Sequence, residues 1–461
     1  MAQSSHCRDR MKRRGARALW MHVRDSLWFV PSLIVVAALG LAAGMIALSG
    51  QMDQEILRQW PGIFGAGAES SRAILSAIAG GMITVAGVTF SIIMVAVTQA
   101  STQYTPRILR NFMSDRPNQV VLGIFVGIFA YCLVVLHTVR GGDDRAAVPS
   151  LAVLVGILLA LVGIAVLVYF VHHIASTLQA SNIIARIYRE TAVALDQLFP
   201  ARLGDPVPED HRAGERPGDG DPWHPIGSLT SGYIQLVNED ALLEIAERER
   251  IIIRMAHPVG DFVARRQPIA YVRGARALSG RRERDVVNCF AIGEFRTVEQ
   301  DAAYGVRQLV DIAMKGLSPG VNDTTTAVSC VDYLGALLAQ LVDCDLAAPV
   351  RATDGVVRLV AQRPGFEGLL RLSLDQIRQH GDGNVAVHTR ILESLATIGN
   401  AVRDERRRAL LLEQVDLLRE HAERSIAMPS DRTRFLEIAD ETEAAIRRGT
   451  LPADAEHPIS Y

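Results

Sequence analysis

The sequence is short of lysine, of paired cysteines and of net charge. Only Lys12 and Lys315 are lysines, and the formal net charge of the 461 residues is −2, so bulk electrostatics do not favour nucleic acid as a partner. The five cysteines lie far apart with no C-x-x-C spacing, which argues against a disulfide framework and a zinc site. We therefore expect buried thiols in a reducing compartment, no nucleic-acid partner, and no metal or other cofactor.

Charge is missing altogether from four long stretches. No Asp, Glu, Lys or Arg occurs in residues 26–52, 73–106 or 117–139, and a fourth such run begins near Pro149. A helix that crosses a bilayer needs about 20 apolar residues. One buried helix of a soluble protein could imitate one such run, but four in succession predict an α-helical integral membrane protein with four transmembrane helices.

Basic residues around the first run predict its orientation. Seven Lys or Arg residues precede it, whereas the three connecting loops carry two or three each. Because Lys and Arg accumulate on the cytoplasmic side, the N-terminus is predicted to be cytoplasmic, and four crossings return the C-terminal region there. The run is too long for a cleaved signal peptide. We expect a multi-pass protein of a bacterial inner membrane with both termini in the cytoplasm.

The second run carries small and hydroxyl side chains at helical spacing. Gly80, Thr84, Gly87, Ser91 and Thr98 lie three, four or seven residues apart, which predicts one face of a helix. In lipid such a face must meet another helix or water. Two interpretations stay open: tight helix packing, with each hydroxyl bonded to a carbonyl one turn back, or the lining of a permeation path built by several copies.

Two further features of the spans concern how the helices pack and which kinds of transport are disfavoured. The glycine pairs Gly40–Gly44 in the first span and Gly123–Gly127 in the third predict close contacts between helices. No ionisable residue lies in the middle of any span, which argues against a proton-coupled carrier or a proton relay.

The C-terminal region is predicted to be a cytoplasmic α+β domain, in which a small β module precedes a helical domain. Changes of composition along the chain divide it into segments. From the N-terminus they are a basic cytoplasmic tail (1–26), a four-helix transmembrane domain (27–173), a connecting helix that extends the fourth span (174–199), a flexible loop (200–227), the small β module (228–295), the helical cytoplasmic domain (296–449) and a tail (450–461).

Short β-type runs and one helix make up the predicted β module. The helix covers residues 239–249, and residues 350–447 further on are predicted as amphipathic helices. The predicted strands are 232–237, 250–256, 267–272 and 286–292. The turn at 257–263 is similar to the half-motif of biotin and lipoyl carriers, but their modifiable lysine is absent, so we expect a structural module.

Residues 311–330, DIAMKGLSPGVNDTTTAVSC, hold the densest cluster of special residues. A capping box of Thr297 and Gln300 predicts the start of the helix before it. That helix must end in the stretch 316–320, which contains two glycines and a proline. Asp323 is a suitable N-cap for the next helix. The sequence therefore predicts a helix, a sharp turn and a second helix.

Three roles compete for this turn. Catalysis would use Ser318 or Thr324 as nucleophile and Lys315 or Asp323 as its activator. The spacing does not match a Ser-Lys pair on one helical face, because Pro319 and Gly320 break the helix, so we predict no enzyme. An anion could bind to Arg307, Lys315, Ser318, Asn322 and Asp323 near the start of the second helix, although the Asp323 carboxylate competes for the same N–H groups. A structural joint is the favoured interpretation.

Three separated motifs resemble one family. They are RTVEQDAAYGVRQLVDIAMKGLSPGVNDTTTA (296–327), GVTFSIIMVAVTQASTQYTPRIL (87–109) and PVGDFV (258–263). Together they are similar to a bacterial family of predicted membrane proteins catalogued as domain of unknown function 2254. The resemblance covers most of the chain and implies the same architecture, without an established activity. Members usually have proline after the Asn-Asp pair, where this chain has Thr324.

The sequence as a whole favours an oligomeric channel or pore for small ions or solutes. The second span would line the path, and the cytoplasmic domain would act as vestibule or gate. The expected partners are the lipid bilayer, further copies of the chain, and the permeating ion or solute. The alternative is a membrane-anchored sensor or scaffold whose cytoplasmic domain binds a ligand or a protein.

Overall fold

The structure, a computed structural model, describes most of the two compact units into which the chain divides, residues 1–179 and 180–461. The described residues are 28–49, 68–103, 116–139, 150–177, 179–198, 205–206, 222–274, 278, 280–298, 300–343, 350–353 and 356–449. In the first unit they form four long helices: α1 (Phe29–Ser49), α2 (Ala68–Gln103), α3 (Arg116–Thr138) and α4 (Ser150–Thr177).

Helix α3 is the centre of the first unit, because it packs against α1, α2 and α4. The close contact predicted for the Gly123–Gly127 pair is confirmed: a Cβ atom on Gly123 would lie 2.7 Å from Ile34 Cδ1 and 2.9 Å from the Cα atom of Pro31. The Gly40–Gly44 pair differs, since no atom of the described residues lies within 4 Å of either Cβ position.

The second unit combines helices with two β-sheets. Its helices are α5 (Ala180–Leu198), α6 (Glu239–Glu249), α7 (Arg281–Val287), α8 (Ala302–Gly316), α9 (Thr324–Asp343), α10 (Phe366–His380), α11 (Val385–Ala401), α12 (Glu405–Ser425) and α13 (Pro429–Arg448). Its strands are β1 (Asp205–Pro206), β2 (His224–Gly227), β3 (Gly232–Val237), β4 (Ile252–Met255), β5 (Phe262–Val263), β6 (Pro268–Arg273), β7 (Phe290–Gly293), β8 (Val350–Thr353) and β9 (Val356–Val360).

The larger sheet has six strands in the order β1-β8-β9-β4-β6-β2, and the smaller has three in the order β5-β3-β7. All neighbours are antiparallel except β4 and β9, which run parallel with Ile253 opposite Leu359. The apolar residues of both sheets share one core with α6, in which Ile234, Leu242 and Ile253 are fully buried.

Four details of the predicted secondary structure are wrong. Strands β1 and β2 lie in the segment predicted as a flexible loop, 200–227. Residues 350–353 and 356–360 form β8 and β9 instead of a helix, and burial alternates along β9 as expected for a strand. The run 286–292 is divided between the end of α7 and the start of β7. The fourth span does not continue into one helix, because α4 ends at Thr177 and α5 begins at Ala180. The Thr177 hydroxyl bonds to a carbonyl of the preceding turn, which competes with the helical backbone pattern.

The N-cap of α8 is Asp301, so the capping box predicted at Thr297 is wrong. The Asp301 carboxylate accepts a hydrogen bond from the backbone N–H of Tyr304 at 2.9 Å. The Gln300 side chain, which the prediction assigned to the box, accepts from the backbone N–H of Val237 at 2.9 Å. Gln300 therefore joins β3 to the start of α8.

Two of the sequence motifs meet at this start of α8. Arg296 donates to the buried Asp301 carboxylate through Nε at 2.7 Å and Nη2 at 3.0 Å. Gly260 of the PVGDFV motif has a φ of +95°, and a Cβ atom there would overlap the Asp301 carboxylate. Glycine is required on both counts, so this turn and the Arg296–Asp301 pair form one structural joint between sheet and helix.

Within the part of the chain that the structure describes, five helices are long and apolar enough to cross a membrane. They are α1 to α4, where the sequence predicts spans, and residues Thr324–Val342 of α9, where it does not. The three described cysteines, Cys132, Cys289 and Cys330, are buried and form no disulfide with one another.

Candidate functional site

Helix α2 has two different faces. The buried face packs against α3 and α4 and consists mostly of small or apolar side chains: Ser71, Leu75, Ala79, Ala86, Thr89, Ile93 and Ala96. The other face carries the five residues that the sequence places together, Gly80, Thr84, Gly87, Ser91 and Thr98, and all of them are exposed. We call this set the hydroxyl face of α2.

Each hydroxyl of this face bonds within its own helix. The acceptors are carbonyl oxygens one turn earlier: Thr84 donates to Gly80 at 2.8 Å, Ser91 to Gly87 at 3.0 Å and Thr98 to Met94 at 2.9 Å. A hydroxyl that donates its proton still has lone pairs that accept. The face therefore offers hydrogen-bond acceptors to whatever lies against it, while its own protons are satisfied.

The middle of the hydroxyl face is a notch. It is a shallow depression of about 500 Å³ that is open on its outer side and is lined by Ile83, Thr84, Gly87, Val88, Ser91, Ile92 and Val95 of this one helix. No atom of the described residues lies within 4 Å of a Cβ position on Gly80 or Gly87. The structure therefore brings Thr84, Gly87 and Ser91 together, whereas Thr98 lies beyond the depression.

The turn between α8 and α9 is held by its own hydrogen bonds. The Ser318 hydroxyl donates to the Lys315 carbonyl at 2.7 Å, and the Asp323 carboxylate accepts from the backbone N–H of Thr326 at 3.0 Å. The N-cap predicted at Asp323 is confirmed. Asn322 has a φ of +49°, a left-handed conformation that asparagine tolerates better than most residues.

Some of the charged side chains near this turn already have partners within the chain. Arg307 lies two turns before the end of α8 and pairs with Asp311 at 2.9 Å. Lys315, Ser318, Asn322 and Asp323 lie within the turn or beside it, and residues 319–323 are exposed. An anion at the start of α9 would have to replace the Asp323 carboxylate as acceptor, so these contacts favour the structural role.

A partner of the turn that the sequence analysis missed is Asn384. Its side-chain amide donates to the Thr324 hydroxyl at 2.9 Å, and its carbonyl oxygen accepts from the backbone N–H of Val387 at 3.2 Å. Asn384 therefore caps α11 and holds the start of α9. The available signal was a Gly-Asn pair directly before an amphipathic run, which is typical of an N-cap.

A buried histidine cluster was also missed. His388 is fully buried, with Nε2 3.3 Å from the Arg378 carbonyl oxygen and its ring edge-on to His421 at 5.0 Å between centroids. Burial lowers the pKa of His388 to about 4. His421 Nε2 lies 3.0 Å from Asp382 Oδ1. Among the residues that the structure describes, no group of three or more His, Cys, Asp or Glu side chains could hold a metal ion.

Comparison with known proteins gives a family and relatives. Residues 24–397 match the model of the family described as "Predicted membrane protein (DUF2254)". An uncharacterized protein of Mycobacterium bovis and one of Mycobacterium tuberculosis are each 32% identical to this chain over 446 residues, which covers 94% of this chain and 84% of the relative. No solved structure matches the chain.

Proposed function

This chain belongs to the DUF2254 family of predicted membrane proteins, and we propose that it forms an oligomeric channel or pore for small ions or solutes. In this proposal α2 lines the path and the second unit acts as vestibule or gate. The observation that carries it is the hydroxyl face of α2, which is exposed and has no packing partner among the described residues.

The proposal assigns α1 to α4 as the spans and places both termini in the cytoplasm. Helix α9 is excluded because it packs against α5, α8, α10 and α11 of the second unit. Its Asp332 pairs with Arg390 of α11, and a carboxylate is expensive within lipid. The basic N-terminal tail supports a cytoplasmic N-terminus.

The chemistry of the hydroxyl face supports the proposed assembly of several copies. Hydroxyl oxygens and bare glycine backbone have no favourable contact with acyl chains, whereas they stabilise contacts with another helix or with water. Several α2 helices around one axis would place Thr84, Gly87 and Ser91 toward a shared path. Their free lone pairs could then replace part of the hydration shell of a permeating ion.

Current across a planar bilayer that contains the purified full-length protein tests the proposal. We expect discrete currents that Ser91→Leu abolishes, because leucine fills the notch and removes an acceptor. Phe90→Leu is the matched control, since Phe90 is 45% exposed on the same helix but does not line the depression. A silent bilayer in several salts, or currents that Ser91→Leu leaves intact, would contradict a path along α2.

The second candidate is a membrane-anchored sensor or scaffold. It is supported by the exposed residues 319–323, which project from a braced turn and include Val321 at 44% exposure. Binding of a ligand or protein there would survive Ser91→Leu and would be lost when the turn is changed. A protein that conducts no ion but binds a partner through this turn would favour this function.

A further inference from the structure

Three large apolar side chains are exposed at one end of the three-stranded sheet. Leu229 is 59% exposed, Phe262 56% and Phe295 53%. Strand β3 lies between β5 and β7, and its Tyr233 pairs with Phe262 on one side and with Gly293 on the other. The three side chains therefore come from neighbouring segments at the same end of the sheet.

Two exposed arginines lie beside these side chains. Arg265 and Arg266 follow Phe262 in the loop between β5 and β6 and are exposed. No carboxylate of the described residues pairs with either arginine, and the carboxylate next to Phe262, that of Asp261, lies 3.3 Å from Nδ1 of His257. We call Leu229, Phe262, Phe295 and the two arginines the tip surface.

The loops that carry the tip surface are braced by hydrogen bonds. The backbone N–H of Ser228 donates to the Gln267 carbonyl at 2.9 Å, and that of Arg266 to the Ser228 carbonyl at 2.8 Å. The backbone N–H of Arg265 donates to the Ser231 hydroxyl at 2.9 Å. These hydrogen bonds hold the loops in one conformation, in which the side chains of the tip surface are exposed. A preorganised surface of this kind loses little entropy when it binds.

We propose that the tip surface docks on the anionic face of a lipid bilayer. Aromatic and leucine side chains enter the boundary between headgroups and acyl chains, and each nearby arginine contributes an attraction to anionic lipid. The spans of the same chain keep a bilayer close, so docking needs only weak intrinsic affinity. Arg265 and Arg266 would attract a phosphodiester headgroup layer and would repel the same two arginines of a second copy. The exposed Glu294, directly before Phe295, offsets one of these two positive charges.

The experiment uses the full-length protein in vesicles of phosphatidylcholine, with or without phosphatidylglycerol. A tryptophan is introduced by Phe262→Trp, and its emission is taken as the difference from the parent, which has four tryptophans. Lipids brominated near the headgroup should quench most of this added emission in the anionic vesicles. The control is Met428→Trp, because Met428 is 61% exposed and lies between α12 and α13.

Two further results decide the proposal. Arg265→Glu together with Arg266→Glu should abolish the quenching at residue 262 without changing the emission of the Met428→Trp protein. Quenching equal in both lipid mixtures, absent in both, or equal at residue 428 would overturn docking on anionic lipid. Blue-shifted emission without quenching would indicate that protein covers the tip surface. None of these readouts depends on ion permeation, so failure here leaves the channel proposal to its own test.

Discussion

The hydroxyl face of α2 and the turn between α8 and α9 are built from similar residues, yet their partners differ. In the turn, Asp323 caps α9, and Thr324 accepts a hydrogen bond from Asn384 of another helix. On α2, Ser91 bonds to the helix that carries it, and no other described side chain or helix lies within 4 Å of a Cβ position on Gly87. Contacts among the described residues explain the residues of the turn, whereas no described contact outside α2 explains those of the hydroxyl face.

The largest expected effect is a difference in stability between substitutions at two glycines, Gly316, which is packed against other residues, and Gly87, which is not. Gly316→Leu should lower the free energy of unfolding by about 3 kcal/mol or more, because a Cβ atom there lies 3.0 Å from the Asp323 carbonyl oxygen. Gly87→Leu should change it by less than about 0.5 kcal/mol and still abolish the current. Thermal unfolding in detergent and bilayer recordings measure the two quantities.

Two results would contradict the difference drawn between α2 and the turn. If Gly87→Leu destabilised the protein as much as Gly316→Leu, the hydroxyl face would be a packing face of the folded chain. If both variants kept full current, the path would not follow α2.

A second prediction concerns pH, to which the two regions should respond differently. The pKa of buried His388 is lowered to about 4 from an ordinary 6.5, so the unfolded chain binds more protons between these values. The contribution of neutral His388 to the free energy of unfolding is fully present above pH 6.5. It decreases by about 3 kcal/mol in total as the pH falls toward 4. The helical part of the second unit should weaken over this window, whereas residues 73–103 of α2 contain no titratable side chain.

Thermal unfolding at a series of pH values in detergent checks this prediction. His388→Leu should flatten the slope between pH 6.5 and 4, whatever it does to stability at neutral pH. The groups around His388 are His421, Asp382, Arg378 and the Phe435 ring. An unchanged slope in the variant would show that His388 does not carry the pH dependence.

A third, smaller effect is expected from the N-cap of α9. Asp323→Ala should lower the free energy of unfolding by about 1 kcal/mol, because the N–H of Thr326 loses its acceptor. Asp323→Ser is the matched control, since serine also caps helices. Both variants should conduct as the parent does. Loss of current in Asp323→Ala alone would connect the turn to gating.

The smallest effect is expected at Lys315. Lys315→Ala should change stability by less than about 0.5 kcal/mol, and phosphate should not raise the melting temperature of either protein if the turn is only a joint. A phosphate-dependent increase in the parent that Lys315→Ala removes would support the anion-binding interpretation.

Much of this architecture could be predicted because its signals are local. Long uncharged runs indicate apolar helices, and an amphipathic run between a proline and a glycine indicates a helix such as α13. The single face of Thr84, Gly87 and Ser91 follows from spacing alone. Spacing alone does not predict whether a face of small residues packs against another helix of the same chain. The glycine motif at Gly123 has similar spacing, but Ile34 of α1 packs against it.

The errors come from contacts between residues distant in sequence. The sequence allows Gln300 to form a capping box with Thr297. In the structure its side-chain carbonyl oxygen instead accepts a hydrogen bond from the backbone N–H of Val237 in β3. Strand β9 alternates in burial only because it has a place beside β4 in the sheet. His388 and His421 are 33 positions apart in the sequence, and no local pattern indicates that their rings lie edge to face.

The parallel pairing of β4 with β9 also constrains how the protein is made. About a hundred residues separate the two strands, so the ribosome must release residue 360 before the six-stranded sheet can close. Until then β4 presents an unpaired strand edge, on which another nascent chain could pair. A chain shortened at residue 295 would keep this edge permanently, and aggregation during synthesis is the failure that such truncations should show.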